Sequence, residues 1–146
     1  MIRVIIDTNV VVSAQLADEG HPASILDLAY TGKIQMFISP EVWAEYEEVL
    51  RRPKFQKFGL SPKLVADALL DIRTTSAAVH PKYKARKARD PKDNPFLAAA
   101  AAAGADYLVT GNTRHFPKSY RKTRVVTPAE FIALIAPILG LPKTRS

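Results

Sequence analysis

No cysteine occurs among the 146 residues. Disulfides and thiolate metal sites are therefore excluded, and the composition suits a reducing compartment. Histidine is scarce too: His21, His80 and His115 stand far apart, with no spacing that suits zinc. The six glycines never gather into a phosphate-binding loop. The longest late apolar stretch, Phe131 to Leu141, is eleven residues with a proline inside it, too short to span a bilayer. Residue 1 leads directly into a strand-like run and no signal peptide is visible, so a cytoplasmic protein without membrane attachment is expected. Acid is the minority charge. Against 14 Asp and Glu stand 21 Lys and Arg, a formal net charge of +7. A surplus of that size points to a polyanionic partner, nucleic acid first and an anionic membrane second.

What is present is core-forming material. Hydrophobic residues make up 47% of the chain, enough for one domain over residues 1–146. Arg3 to Ile6 reads as a short buried strand, followed by a helix after Asn9 and another from about Ala23 to Tyr30. Ile34 to Ile38 is a second strand. Ser39-Pro40 starts a helix that runs to about Arg51 and stops before Pro53, and Ser61-Pro62 starts one that runs to about Arg73. Residues 77 to 80 suit a short strand, and 81 to 93 a polar loop. Pro95 to Ala103 is a helix closed by Gly104, Tyr107 to Thr110 a strand, and Arg124 to Val126 a weaker one. Thr127-Pro128-Ala129-Glu130 is a capping box that opens the last helix. Strands alternating with helices predict an α/β architecture with a mainly parallel sheet. The alanine run 98–103 fits a helix packed closely against that sheet.

In open α/β sheets, ligands bind beyond the carboxyl ends of the strands. Asp7 falls there, directly after the first strand, although Asp-Thr-Asn is also a set of helix caps. Asn112 follows the Tyr107–Thr110 strand and belongs to the same edge. Asp106 precedes that strand and belongs to the opposite edge, in a structural role. Asp93 stands just before a helix, where it is either a cap or a site residue. On the third helix, Glu45 and Glu47 border the apolar face of Val42, Trp43, Tyr46, Val49 and Leu50, and periodicity does not choose between them. If Asp7, a glutamate of that helix and Asp93 converge, their mutual repulsion calls for a divalent cation, and oxygen ligands suit Mg²⁺ or Mn²⁺.

Fourteen of the 21 basic residues fall into three clusters free of acid. Arg51, Arg52, Lys54 and Lys57 form the first. "KYKARKAR" supplies Lys82, Lys84, Arg86, Lys87 and Arg89. Arg114, Lys118, Arg121, Lys122 and Arg124 form the third. Tyr83, Phe116 and Tyr120 lie among them, and cations interleaved with aromatics suit single-stranded nucleic acid. A solvated basic surface is the plainer alternative. The second and third clusters flank the acidic positions, which makes Lys84, Arg86, Lys87, Arg89 and Arg114 the expected nucleic-acid contacts.

"VIIDTNVVVSA", "SPEVWAEYEEVLRRPKF", "RDPKDNPFLAAAAAAGADYLVTGN" and "VVTPAEF" together resemble the PIN-domain family over roughly residues 2 to 136. They look most like its bacterial toxin branch, relatives of the VapC ribonucleases. The resemblance implies a three-layer α/β/α sandwich and an Mg²⁺- or Mn²⁺-dependent nuclease. It places the metal-holding acids at Asp7, Glu45 and Asp93, and so selects Glu45 over Glu47. Asp90 becomes an outer ligand, with Thr8 and Asn9 capping the first helix and orienting Asp7 from behind. Many family members carry a fourth aspartate where this chain has Asn112, which would join the site without charge. The implied reaction is endonucleolytic cleavage of RNA to a 5′-phosphate and a 3′-hydroxyl. A homodimer and a small antitoxin protein are the implied partners. Phosphoryl transfer on Asp7, as in haloacid-dehalogenase-like folds, wants a second aspartate where Asn9 stands. An RNA-binding module that lacks turnover is the remaining alternative, and Asn112 is the residue that favours it.

Overall fold

The computed structural model describes residues 1–142. The chain alternates as predicted. In order it forms β1 (Arg3–Ile6), α1 (Thr8–Leu16), α2 (His21–Tyr30), β2 (Gln35–Ile38), α3 (Pro40–Leu50), α4 (Pro53–Gln56) and α5 (Pro62–Thr75). Then follow β3 (Ala77–Ala78), α6 (Asn94–Ala103), β4 (Tyr107–Val109), β5 (Ser119–Tyr120), β6 (Thr123–Val126) and α7 (Pro128–Leu139). The helix starts have the chemistry read from the sequence. Ser39, Ser61 and Thr127 accept hydrogen bonds from the N–H groups of Val42, Leu64 and Glu130, each with proline at the first helical position. Glu130 returns the bond to the Thr127 N–H and completes the capping box.

The six strands form one sheet in the order β3-β2-β1-β4-β6-β5. All pairs are parallel except β5 with β6. The fold is the expected mainly parallel α/β/α sandwich. β1 lies between β2 and β4, so the direction of winding reverses at β1 and β4. The crevice beyond the carboxyl ends of those two strands is where such a sheet offers a ligand site. Register sets the partners there: Ile6 is level with Val109, and Asp7 follows one as Thr110 follows the other. Val4, Ile5 and Ile6 are fully buried under the helices, as are Leu108 and Val109.

The alanine run serves two faces. Ala99, Ala100 and Ala103 are buried, with α6 packed across β1, β2 and β4. Ala98 and Ala101 are half-buried and Ala102 is exposed, on the helix's other side. A methyl group is all that fits between a helix and a sheet this close. Ala100→Leu is expected to cost about 2 kcal/mol through overpacking, seen as a lower urea midpoint at unchanged slope. Ala102→Leu should stay within about 0.5 kcal/mol of the parent. Equal midpoints for the two variants would refute the close-packing account.

Two elements depart from the sequence reading. Pro53 was expected only to end a helix, but it also opens α4, because a proline needs no N–H bond in a first helical turn. The expected strand near Arg124–Val126 is β6, but the basic stretch before it adds an unexpected partner, β5, the two forming a hairpin that turns at Arg121 with φ 54°. No glycine marks that turn, which is why the sequence concealed it. Among the described residues, no helix is long and apolar enough to cross a membrane.

Candidate active site

Asp7 ends β1 and is only 6% exposed. Its N–H donates to the Val109 carbonyl at 2.9 Å, which carries the sheet one step past the strand. Its carboxylate accepts three bonds. The Thr8 N–H reaches Oδ1 at 2.8 Å, the Asn9 amide reaches Oδ2 at 3.2 Å, and the Thr110 hydroxyl reaches Oδ2 at 2.7 Å. This corrects one expectation. Thr8 and Asn9 do not cap α1; Asp7 does, because it is the last extended residue and Thr8 is already helical. Asn9 does turn its amide back onto Asp7, while its oxygen accepts from the Gly111 N–H at 3.1 Å.

Glu45 lies in the second turn of α3, and its Oε2 accepts a bond from the Thr8 hydroxyl. Its competitor Glu47, and Glu48 beside it, are engaged elsewhere. Glu47 faces Arg51 at 3.7 Å, and Glu48 takes both a 2.8 Å and a 3.2 Å bond from Arg52. Tyr46, fully buried next to Glu45, donates its hydroxyl to the Ile6 carbonyl and so locks α3 onto the end of β1.

Asp93 closes a 3₁₀ turn, Pro91–Asp93, just ahead of α6. It makes no side-chain bond to that helix, so capping does not account for it. Its Oδ2 lies 3.6 Å from His115 Nδ1. Asp90 accepts the Lys92 N–H at 3.0 Å and shapes the turn. Asn112 is exposed after β4, with its N–H on the Thr110 hydroxyl at 3.0 Å. Thr110 thus sits between Asp7 and Asn112. Asp106, as read from the sequence, is structural: it accepts the Arg3 N–H at 2.9 Å and pairs with Lys122 at 3.2 Å.

All three carboxyls are raised, and Asp93 acts on the other two. Burial above all pushes Asp7 up to about 6, and the charges of Asp93 and Glu45 add to it, against the Thr110 and Thr8 donors. Burial raises Glu45 as well, with further repulsion from Asp93 and Glu48. Asp93 is raised by burial and by Asp90, and drawn back by His115. Hard, mutually repelling carboxylates are the donor chemistry a divalent cation neutralises. They do not, however, stand as a closed set. Among the described residues, no three His, Cys, Asp or Glu side chains are grouped so as to hold an ion. Glu45 rests on the Thr8 hydroxyl, and Asp93 faces His115 instead.

The basic strap 81–89 borders this edge. Ala85 is buried and Ala88 half-buried, and they pin the segment while Lys84, Arg86, Lys87 and Arg89 stay exposed. The Ala88 N–H bonds to Asn94 Oδ1 at 2.9 Å, and the Arg89 N–H to the His115 carbonyl at 2.8 Å. That second bond joins the strap to the turn Thr113–His115, which carries exposed Arg114. Among the described residues, no carboxylate pairs with any of these five cations.

The sequence reading missed the Thr8 hydroxyl as a donor to Glu45, Thr110 as a donor to Asp7, and His115 as the neighbour of Asp93. Thr110 had a positional signal, since it follows β4 at the edge of Asp7. His115 had none.

Comparison with known proteins shows the family. A family model described as the PIN domain matches residues 3–114. The chain is also 29% identical over 140 residues, 90% of each chain, to "Uncharacterized protein MJ1680" of Methanocaldococcus jannaschii. PIN domains are generally nucleases and typically use divalent metals. With its sheet, its β1/β4 crevice and a match over most of its length, the chain belongs to the PIN-domain family.

Proposed function

We propose that this protein is an Mg²⁺- or Mn²⁺-dependent endoribonuclease. The observation that carries the reading is the set Asp7, Glu45 and Asp93. It comes from a strand end, a mid-chain helix and the entry to a later helix; beyond the effect of burial, the charge of Asp93 raises both Asp7 and Glu45, and that of Glu45 raises Asp7. When bound, the metal acidifies the attacking water and offsets charge on the phosphoryl oxygens. Asp7, Glu45 and Asp93 would hold it. The hydroxyls of Thr8 and Thr110 and the amide of Asn9 orient two of those carboxylates. Asn112 joins the site by position, beyond Thr110, and brings no charge. Asp90 adds negative charge behind Asp93. Lys84, Arg86, Lys87, Arg89 and Arg114 position the RNA backbone. The physiological setting we propose is the toxin of a type II pair, a homodimer held in check by a small antitoxin protein.

The test is cleavage of a short end-labelled RNA during Mn²⁺ and Mg²⁺ titration. Metal-dependent products ending in 5′-phosphate and 3′-hydroxyl are expected. RNA binding without cleavage in either metal would instead favour a binding module, the reading to which the neutral Asn112 lends support. The strap makes a separate prediction. Replacing Lys84, Arg86 and Lys87 by alanine should weaken RNA binding and lower the slope of log Kd against log salt by about 0.7 for each phosphate no longer neutralised. An unchanged slope would leave the strap a merely solvated surface.

A further inference from the structure

The strap and the outer side of α6 flank an open channel; the catalytic reading uses its Lys84 and Arg86 but neither its α6 side nor Tyr83. Its first part, about 410 Å³, begins at Pro91, Asn94 and Pro95, which flank Asp93. Its second part, about 270 Å³, ends against Tyr120 and Arg121 at the β5–β6 turn. Pro81, Lys82, Tyr83 and Ala98 line both parts, so the two adjoin along the strap. It follows α6 from the active-site edge toward the opposite edge of the sheet, a run of about 12 Å at the helical rise.

Its surfaces differ in chemistry. The floor is made of Ala98, Ala101 and Ala102, whose small side chains leave it open. The strap wall carries Lys82, Lys84 and Arg86, and Arg121 stands at the far end beside Tyr120. Among the described residues, no carboxylate pairs with these four cations. Glu41 lines the end nearest α3. Tyr83 is 77% exposed, and among the described residues no aromatic ring stacks on it.

We infer that this channel holds the single-stranded segment of RNA adjoining the cleavage site, with a base stacked on Tyr83 and phosphates along the strap wall. The inference rests on the nuclease reading and gives its RNA strand a path along α6, with Tyr83 as the stacking residue. Net positive charge favours a polyanion over a protein segment. An exposed ring over a narrow alanine floor suits bases that are free to unstack, which those of a duplex are not. Glu41 repels phosphate from its own side, leaving the strap wall as the backbone's track.

The test separates stacking from charge by using neutral substitutions. Binding of a fluorescein-labelled ten-nucleotide single-stranded RNA is followed by anisotropy without divalent metal, so that cleavage plays no part. Tyr83→Ala is expected to raise Kd about tenfold with the salt slope unchanged, and Tyr83→Phe to retain the parent affinity. Ala98→Leu, which fills the junction of the two parts, should weaken binding in the same way at an unchanged melting temperature. Affinity for a duplex of the same sequence should not respond to Tyr83→Ala. Unchanged single-strand affinity in Tyr83→Ala overturns the inference even where metal-dependent cleavage is intact, and frees the channel for a protein segment. Equal losses for duplex and single strand overturn it as well. A Tyr83 effect in a protein that cleaves nothing supports the channel and sinks the nuclease reading instead.

Discussion

Asp7→Asn is expected to lower the rate of metal-dependent RNA cleavage on the order of 10³-fold, about 4 kcal/mol of transition-state stabilisation. The substitution keeps the size and planarity of the side chain. One oxygen still accepts the Thr8 N–H, and the amide can donate to the Thr110 hydroxyl, which has lone pairs to spare. The lost quantity is the charge at the β1/β4 crevice. Glu45 and Asp93 then share a cation with one anion fewer, so part of the activity should return at high Mn²⁺. Cleavage by Asp7→Asn within tenfold of the parent, at low Mn²⁺, would remove Asp7 from the site.

The same residue should give the metal-free protein an inverted pH dependence. Asp7 titrates in the fold at about 6, above its ordinary 3.8, so the folded state holds its proton more tightly than the unfolded chain does. Its contribution to stability is fully present below about pH 3.8 and is lost as pH rises through 6. The whole effect is about 3 kcal/mol, of which about half falls between pH 5 and pH 7.5. Glu45 and Asp93 shift in the same direction and reinforce it. In chelator, the parent should therefore melt lower at pH 7.5 than at pH 5. Asp7→Asn should flatten that dependence and melt higher than the parent at pH 7.5. Its gain is smaller than the full effect, because the new amide faces the Asn9 amide, donor against donor. Comparing the two proteins cancels the general cost of added positive charge at low pH. Mn²⁺ should stabilise the parent at pH 7.5 and do little for the variant. Superimposable pH profiles in chelator would show that Asp7 ionises without strain.

Local rules account for what was legible. β1 and its terminal acid follow from branched apolar residues ending at Asp7. Ser39-Pro40, Ser61-Pro62 and Thr127 through Glu130 fix helix starts within four residues of chain. Gly104, with φ 57°, closes α6 where the run of alanines ends. The placement of Asp106 at the opposite edge followed from strand direction alone. Selecting Glu45 over Glu47 did not. Both border the apolar face of α3, and only the family resemblance favoured one. In the fold, Glu47 faces Arg51 and Glu45 meets Thr8.

The sequence by itself determined most of the elements, the caps of α3, α5 and α7, and the sheet edges of Asp7 and Asp106, because those depend on side-chain period and on bonds between near neighbours. Tertiary structure alone decided the neighbours of the site. Thr110 reaches Asp7 across 103 residues because β4 lies beside β1, and Thr8 reaches Glu45 across 37 because Tyr46 pins α3 to the end of that strand. His115 comes beside Asp93 through a turn tied to the strap by one backbone bond. The alanines of α6 read as one low-complexity run, yet the helix sends some against the sheet and leaves others as the floor of a channel. No window of sequence contains those pairings, since they follow from strand order and helix packing, which the whole chain settles together.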